Sequence, residues 1–338
     1  MPPRPERHIA RWDLDKTYLR TEFDTMRDLV KTALERADEK RTNPGAASLL
    51  REMRRANVAV HILSGSPEQM RRRLEDKLRL DGIAWDSFTL KPNLRNMLKL
   101  RFRAMKDQLG YKLPALVMSR LGPRDPSLAA ATETLFGDDA EADAFVYSLY
   151  GDLMSGAVGP DELAVVCVNG RMYEDVTEAL VAAVRRIVPS NVVERVLIHL
   201  EGQTPPDDFR IYGPRVVPFY NYLQAAFVVF EDRRLPAEAV LRVALELVTE
   251  HRFDGQRLVR SYADLIRRGH LRGKGVEEIA AAFEEWVTRE HVFAEAALKE
   301  LICELPKEAA RAKPLEAAVP VTPDYAHLVL AHNRRRKK

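Results

Sequence analysis

The chain alternates short apolar runs with longer segments whose apolar residues recur at helical spacing. Residues 58–63 are almost continuously apolar, as strands buried on both faces of a parallel sheet are. A first strand begins at residue 8 and ends near Asp13 and Asp15. The other predicted strands are 87–90, 132–136, 163–168 and 196–200. This alternation predicts an α/β fold with a doubly wound, mostly parallel sheet.

Helices are predicted between these strands, and two of their boundaries depend on single residues. Asn43 is expected to cap the second helix, and Gly110 is expected to interrupt the basic helix that follows the third strand. The predicted helices are 18–40, 44–57, 68–80, 93–109, 112–121, 140–153, 173–187 and 220–231.

The last third of the sequence predicts a helical appendage. Residues 236–250, 255–268, 276–289 and 290–305 have the apolar stripes of amphipathic helices, which are more typical of a core than of a ligand surface. We therefore divide the chain into an α/β domain at 1–235, a helical appendage at 236–306, and a linker and basic tail at 307–338. The tail is expected to be solvated, with contact to an anionic membrane or to nucleic acid as the alternative.

Composition limits the class of protein further. The 338 residues include 53 basic and 50 acidic side chains, a net charge of +3 that gives no strong nucleic-acid signal. Two cysteines are too few for a disulfide framework, and the N-terminal residues lack the apolar core of a signal peptide. We find no apolar run long enough to cross a bilayer. These features predict a cytoplasmic globular protein.

Polar side chains follow the predicted strands at the points where each strand ends. In doubly wound sheets, ligands bind outside the carboxyl ends of the strands. The residues at these ends are Asp13, Asp15, Ser64, Lys91 and Asp138. Their shared position makes this edge of the sheet the candidate site.

Asp13 and Asp15 are the most informative pair. Residues two apart on a strand lie on the same face, so both carboxylates can point into one crevice. Two close carboxylates repel each other unless a cation or a proton neutralises one of them, and Mg²⁺ prefers oxygen ligands. An aspartate can also attack phosphorus. The alternative is a strand end with two solvated acids.

Four segments, taken in order, resemble the motifs of haloacid dehalogenase-like phosphatases. They are DLDKT at 13–17, Ser64, Lys112 and GDDAEAD at 137–143. The similarity is closer to the actin-patch phosphatidate phosphatase family and its bacterial relatives. SGSP at 64–67, FTLK at 88–91 and GDDAEADAFVY at 137–147 are similar to elements of that family. The resemblance covers about residues 8–235 and implies a Rossmann-like sheet of the haloacid dehalogenase type.

This resemblance implies a catalytic role for three residues. Asp13 would be the nucleophile that becomes phosphorylated, and Asp15 would be the general acid and then the general base. Lys112 would neutralise charge on the phosphoryl group. The alternative for Lys112 is a solvated helix position. Lys91 is a rival for the same role, because it follows a strand directly.

The resemblance also implies a metal site and a substrate site. Asp13, the main-chain carbonyl of Asp15, Asp138 and Asp143 would hold Mg²⁺. Ser64, Gly65 and Thr17 would bind the phosphate, and Lys91 would face an anionic substrate. The ordinary alternatives are a helix cap for Ser64 and a turn for residues 138–139. Asp139 stands where that family commonly has serine, and adds a carboxylate beside the expected metal.

The implied activity is hydrolysis of a phosphomonoester through an aspartyl-phosphate. No large cap domain is visible between Asp13 and Ser64, so the open site would admit a bulky substrate. A phosphatidate-like lipid and a macromolecular phosphate both fit this description. Two alternatives stay open: an inactive binding protein on the same fold, and a phosphotransferase whose acceptor is not water.

Overall fold

A computed structural model describes residues 7–20, 41–91, 105–122, 128, 130–140, 142–290, 296–313 and 322–335. Its centre is a six-stranded sheet with the order β3-β2-β1-β4-β5-β6, in which all neighbouring strands are parallel. The strands are β1 (His8–Trp12), β2 (Ala59–Pro67), β3 (Ser87–Lys91), β4 (Thr132–Asp138), β5 (Val193–His199) and β6 (Val216–Phe219). The predicted α/β fold with a parallel sheet is confirmed.

The described helices connect and cover these strands. They are α1 (Ala46–Arg55), α2 (Arg71–Leu80), α3 (Met105–Leu121), α4 (Asp143–Ser155), α5 (Pro160–Asn169), α6 (Glu174–Val184), α7 (Tyr222–Glu231), α8 (Ala237–Thr249), α9 (Gly255–Arg267), α10 (Val276–Glu290), α11 (Ala296–Arg311) and α12 (Tyr325–Arg335). Short 3₁₀ turns cover Glu68–Met70 and Pro206–Tyr212. In the described part of the chain, no helix is both long and apolar enough to cross a membrane.

Helices pack on both faces of the sheet. Successive residues of a strand point to opposite faces, and apolar side chains are buried on each face. Leu197 of β5 belongs to one hydrophobic cluster, whereas Val196 and Ile198 belong to the other. The first cluster includes residues of α1, α2 and α7–α11, and the second includes residues of α3–α6 and α12. The sheet is therefore buried on both faces, which accounts for its nearly continuous apolar runs.

Strand β1 lies at the point where the strand order reverses. It pairs with β2 on one side, where Trp12 is opposite Ile62, and with β4 on the other, where Trp12 is opposite Phe136. The residues that follow these three strands therefore emerge side by side at the carboxyl edge. A crevice at such a reversal is the usual ligand site of this class of sheet.

Helices α8–α10 agree with the first three amphipathic helices predicted for the appendage, and α11 overlaps the fourth, which was predicted at 290–305. Their apolar side chains, among them Leu241 and Leu301, lie in the same hydrophobic cluster as Trp12 of the central strand. Helix α8 packs against α1. The boundary at residue 235 remains a prediction.

One predicted strand is wrong. Residues 163–168 lie within helix α5, which begins at Pro160. Proline at the first helical position and the acids Asp161 and Glu162 in the first turn favour a helix start there. Buried Leu163, Val166 and Cys167 follow helical spacing, and the exposed Val165 and Val168 were mistaken for strand residues.

The sequence prediction also missed β6 and misjudged α3. Strand β6 is four residues long and contains Pro218, which is tolerated because the strand lies at the sheet edge. Helix α3 runs through Gly110 without interruption and also contains Pro114. Of the predicted helix 93–109, residues 93–104 lie outside the described residues.

Three further boundaries differ. Tyr18 and Leu19 lie in a tight turn rather than at a helix start, and residues 21–40 of that predicted helix lie outside the described residues. The predicted linker is helical up to Arg311, and residues 325–335 form α12. The Tyr325 side chain is fully buried, and its hydroxyl donates to Asp152 Oδ2 at 2.5 Å. This contact, 173 residues apart in sequence, could not be inferred from local composition.

His8 helps to fix the pairing of β1 with β4. Its Nδ1 and Nε2 lie 2.7 Å and 2.9 Å from the hydroxyl oxygens of Thr132 and Thr134. Burial, partly opposed by the charge of Glu194, lowers the pKa of His8 from 6.5 to about 4. The folded protein therefore holds a neutral imidazole at neutral pH.

Acidification should weaken the fold through His8. Because its pKa is lower in the folded protein, the unfolded chain takes up the proton first as the pH falls. The stabilisation is complete above pH 6.5 and is lost towards pH 4, an effect of about 3 kcal/mol. Denaturant titrations across this range should give a smaller decline for His8→Gln than for the wild type. His327→Gln, at an exposed site, should show the same decline in unfolding free energy as the wild type. Equal declines for the wild type and both variants would contradict the role of His8.

Candidate active site

The site begins where β1 ends. The amide of Asp13 donates to the carbonyl of Phe136 at 3.0 Å, which continues the pairing of β1 with β4 by one residue. The chain then turns tightly, because the Leu14 carbonyl accepts from the amides of Tyr18 and Leu19 at 3.0 Å and 2.7 Å. Asp13 is fully buried at the start of this turn.

Three buried carboxylates meet at this position. Asp13 follows β1, Asp138 ends the neighbouring β4, and Asp143 is the first residue of α4. One carboxylate oxygen from each lies within 4.8 Å of the others, and all three side chains have no exposed surface. Buried like charges at this distance repel strongly, so the cluster needs positive charge nearby.

Lys112 of α3 supplies one positive charge. Its Nζ lies 2.5 Å from Asp143 Oδ1 and 3.3 Å from Asp13 Oδ1, and its side chain is fully buried. It also lies 5.9 Å from the centre of the Tyr147 ring. The set of buried carboxylate oxygens fits a hard divalent cation such as Mg²⁺.

The geometry of the cluster requires glycine at position 137. A Cβ added to Gly137 would lie 2.5 Å from both the Cβ and the Oδ2 of Asp143, far inside van der Waals contact. Asp143 Oδ2 also accepts from the Asp138 amide at 3.3 Å, and Asp138 Oδ1 accepts from the Ala140 amide at 2.7 Å. Glycine therefore lets the first turn of α4 approach the end of β4.

Asp15 lies against the end of β2 and contacts two serines. The hydroxyls of Ser64 and Ser66 are 3.0 Å and 2.8 Å from its Oδ2. The Ser66 amide also donates to Ser64 Oγ at 3.0 Å. Ser64 does not cap the next helical turn, whose N-cap residue is Pro67 and lacks a side-chain cap. The alternative of a helix cap is therefore wrong, and the sequence prediction missed Ser66.

The structure places the other three predicted substrate residues, Thr17, Gly65 and Lys91, in different surroundings. The Thr17 hydroxyl is directed to Asp138 Oδ2 at 3.5 Å. At Gly65, an added Cβ would meet none of the described atoms within 4 Å, so space is open there. Lys91 is half-buried at the end of β3, the edge strand, with β2 between it and β1. Lys112 is the lysine whose contacts with Asp13 and Asp143 the structure shows.

A buried clamp formed by Asn43 and Tyr222 holds the turn after β1. Asn43 Nδ2 donates to the carbonyls of Lys16 and Thr17 at 2.9 Å and 2.8 Å, and the Tyr222 hydroxyl donates to the Thr17 carbonyl at 2.5 Å. Lys16 has a left-handed backbone with φ 59°, which is uncommon for a non-glycine residue. The clamp therefore fixes the turn that carries Asp15 and Thr17.

Asn43 thus has a different role from the one predicted. It does not cap α1, whose N-cap residue is Gly45 with φ +82°. The contact of Asn43 with the turn spans 26 residues and has no local signal in the sequence.

The pKa values of two tyrosines near the site, Tyr222 and Tyr111, are raised. Burial, followed by the charges of Asp138 and Asp13, raises the pKa of Tyr222 well above its usual value. Burial also raises the pKa of Tyr111, which precedes Lys112. The Tyr111 hydroxyl is buried and has no hydrogen-bond partner among the described residues. Both phenols therefore stay protonated at neutral pH.

The carboxylate of Asp139 binds the loop that follows β5. Its two oxygens accept from the amides of Gly202 and Thr204 at 2.6 Å and 2.8 Å. Its own amide donates to the carbonyl of His199 at 3.1 Å. The expectation that Asp139 adds charge beside the metal is not met, since its carboxylate is held by the loop that follows β5.

Comparison of the chain with models of known protein families, with curated proteins and with solved structures finds no significant match.

Removing the Tyr222 hydroxyl should destabilise the fold. The Thr17 carbonyl keeps Asn43 as a partner but loses a buried donor, so we expect Tyr222→Phe to cost about 1 kcal/mol of unfolding free energy. Tyr262→Phe is the matched control, because the Tyr262 hydroxyl is buried but bonds none of the described residues. Chemical denaturation should show a loss only for Tyr222→Phe; equal stabilities would contradict the clamp.

Proposed function

We propose that the protein is a Mg²⁺-dependent phosphatase that hydrolyses a phosphomonoester through an aspartyl-phosphate on Asp13. The supporting observation is the buried cluster of Asp13, Asp138, Asp143 and Lys112 at the reversal of the strand order. Structural ion pairs rarely bury three carboxylates whose oxygens lie within 4.8 Å of one another, because the desolvation cost is high. A site that binds a divalent cation and a phosphoryl group explains this arrangement.

Asp13, Asp138, Asp143 and the main-chain carbonyl of Asp15 would hold the metal. Bound there, Mg²⁺ supplies positive charge that stabilises the phosphoryl group and its developing negative charge. Lys112 would add a second positive charge from the side of α3, where it already contacts Asp13 and Asp143. Thr17, whose hydroxyl is directed to Asp138, supports that carboxylate.

Asp13 is suited to act as the nucleophile because it is held rigidly at the end of β1. Its carboxylate would form a bond to phosphorus while the bond between phosphorus and the ester oxygen breaks. Water would then attack the phosphorus, the bond to Asp13 would break, and inorganic phosphate would leave. Such transfers depend mainly on positioning and charge stabilisation, which a buried site provides.

Asp15 would move the protons in both steps. It would give a proton to the departing alkoxide and then accept one from the attacking water. Its position two residues beyond Asp13, on the turn that the clamp holds, suits this role. Ser64 and the backbone at Gly65 would bind phosphoryl oxygens, since open space adjoins Gly65.

The substrate class is a phosphomonoester with a bulky or macromolecular leaving group. The resemblance noted above favours a phosphatidate-like lipid, for which Lys91 at the same sheet edge would face an anionic group. Peripheral contact of the basic tail with a membrane would accompany a lipid substrate.

The proposal predicts Mg²⁺-dependent release of inorganic phosphate from at least one class in such a survey. The panel should contain phosphatidate, phosphosugars, nucleotides, phosphopeptides and nucleic acids with phosphorylated ends. Excess EDTA should abolish release, and added Mg²⁺ should restore it. A transfer of phosphate to an acceptor other than water would identify a phosphotransferase, and binding without turnover would identify an inactive binding protein.

Two aspartate variants distinguish this site from contaminating activity. Asp13→Asn should lower turnover by at least roughly 10³-fold, because an amide is a far poorer nucleophile. Asp139→Asn removes a charge near the same strand end but outside the cluster, and should keep most of the activity. Turnover by Asp13→Asn close to that of wild type would refute the assignment of the nucleophile.

A further inference from the structure

Ser64 and Ser66 donate to the same carboxylate oxygen, Asp15 Oδ2. A phosphate-binding serine is expected to donate to a neighbouring acceptor when no phosphate is bound, and the contact of Ser64 with Asp15 fits this expectation. The proposed phosphate site at Ser64 does not account for the second donor, from Ser66. We propose that Ser66 is a positioning residue that orients Asp15 for proton transfer, an inference that depends on the proposed phosphatase function.

The end of β2 has an irregular backbone that makes this contact possible. Ser64 pairs with Leu90 of β3, yet the next paired residue of β2 is Pro67, which is opposite Lys91. Residues 65–66 are therefore extra on β2, and such a bulge redirects side chains at a strand end. The bulge brings Ser66, only 7% exposed, to 2.8 Å from Asp15 Oδ2.

The backbone of Ser66 is also fixed. A residue that precedes proline is restricted to extended conformations, and Ser66 precedes Pro67. Its amide is bound to Ser64 Oγ at 3.0 Å. The Ser66 side chain is therefore attached to a fixed backbone, so its hydroxyl can hold Asp15 in one orientation.

The two serines thereby divide two tasks. Rotation of the Ser64 hydroxyl hydrogen about the Cβ–Oγ bond can redirect this donor from Asp15 to an incoming phosphoryl oxygen without moving Oγ, while Ser66 keeps Asp15 Oδ2 in place. A proton donor misplaced by about 1 Å loses much of its effect, so a single retained hydrogen bond can matter. Ser66 would act on the leaving group only through Asp15.

A double-mutant cycle with Asp15→Asn tests this inference. In the wild-type background, Ser66→Ala should slow leaving-group release roughly 10- to 100-fold with an alkyl phosphate, as expected for a hydrogen bond to a charged group. With 4-nitrophenyl phosphate the pre-steady-state burst should change much less, because nitrophenolate leaves without a proton. In the Asp15→Asn background, Ser66→Ala should have less than about a twofold effect.

Two control variants separate positioning from structure and from phosphate binding. Ser148→Ala removes another buried serine hydroxyl, one that bonds none of the described residues, and should leave all rates unchanged. Ser64→Ala should slow both substrates and should do so in the Asp15→Asn background as well. Unfolding free energies of all variants show whether a rate change merely reflects a destabilised fold.

Each outcome of the cycle decides the inference. An effect of Ser66→Ala that is equal for the two substrates, or that persists in full in Asp15→Asn, overturns the role of Ser66 alone. A wild-type protein that releases no phosphate from any substrate overturns the proposed function and this inference together, because no acid is then being positioned.

Discussion

The repulsion among Asp13, Asp138 and Asp143 is the constraint on which this site depends. Three buried carboxylates can be held together only by a rigid scaffold, and parallel pairing of β1 with β4 provides it. Trp12 directly precedes Asp13, and Phe136 lies two residues before Asp138. Their rings stack with centroids 4.0 Å apart, and Tyr222 continues the stack at 5.8 Å from Trp12. The hydrophobic core thus offsets an electrostatic cost that a cation would relieve.

The elements around the cluster keep its geometry under that strain. Gly137 lets α4 approach, and Lys112 reaches the carboxylates from α3. The clamp of Asn43 and Tyr222 holds the left-handed turn at Lys16. Unfavourable backbone conformations and buried charges tend to cluster at functional sites. The fold and the chemistry are therefore coupled through the end of β1.

The architecture and several site residues could be predicted because their signals are local. An apolar run followed by a polar residue identifies a strand end, and this placed Asp13, Asp15, Ser64 and Asp138 at one edge. Contacts between distant segments have no such signal: Asp139 meets a loop 63 residues away. The contacts of Ser66 with Asp15 and of Asn43 with the turn were missed for the same reason. Helix α5 was read as a strand because β-branched residues occupy both its buried and its exposed positions.

A crystal structure grown with Mg²⁺ and beryllium trifluoride, an analogue of a phosphoryl group, tests the central claim most directly. If Asp13 is the nucleophile, the beryllium atom will be bonded to a carboxylate oxygen of Asp13, and the metal will contact Asp13 and Asp138. The account also predicts that Ser64 contacts a fluorine while Ser66 stays on Asp15. A crevice without metal, with Asp13 unmodified and Lys112 as the only cation at the carboxylates, would contradict the account.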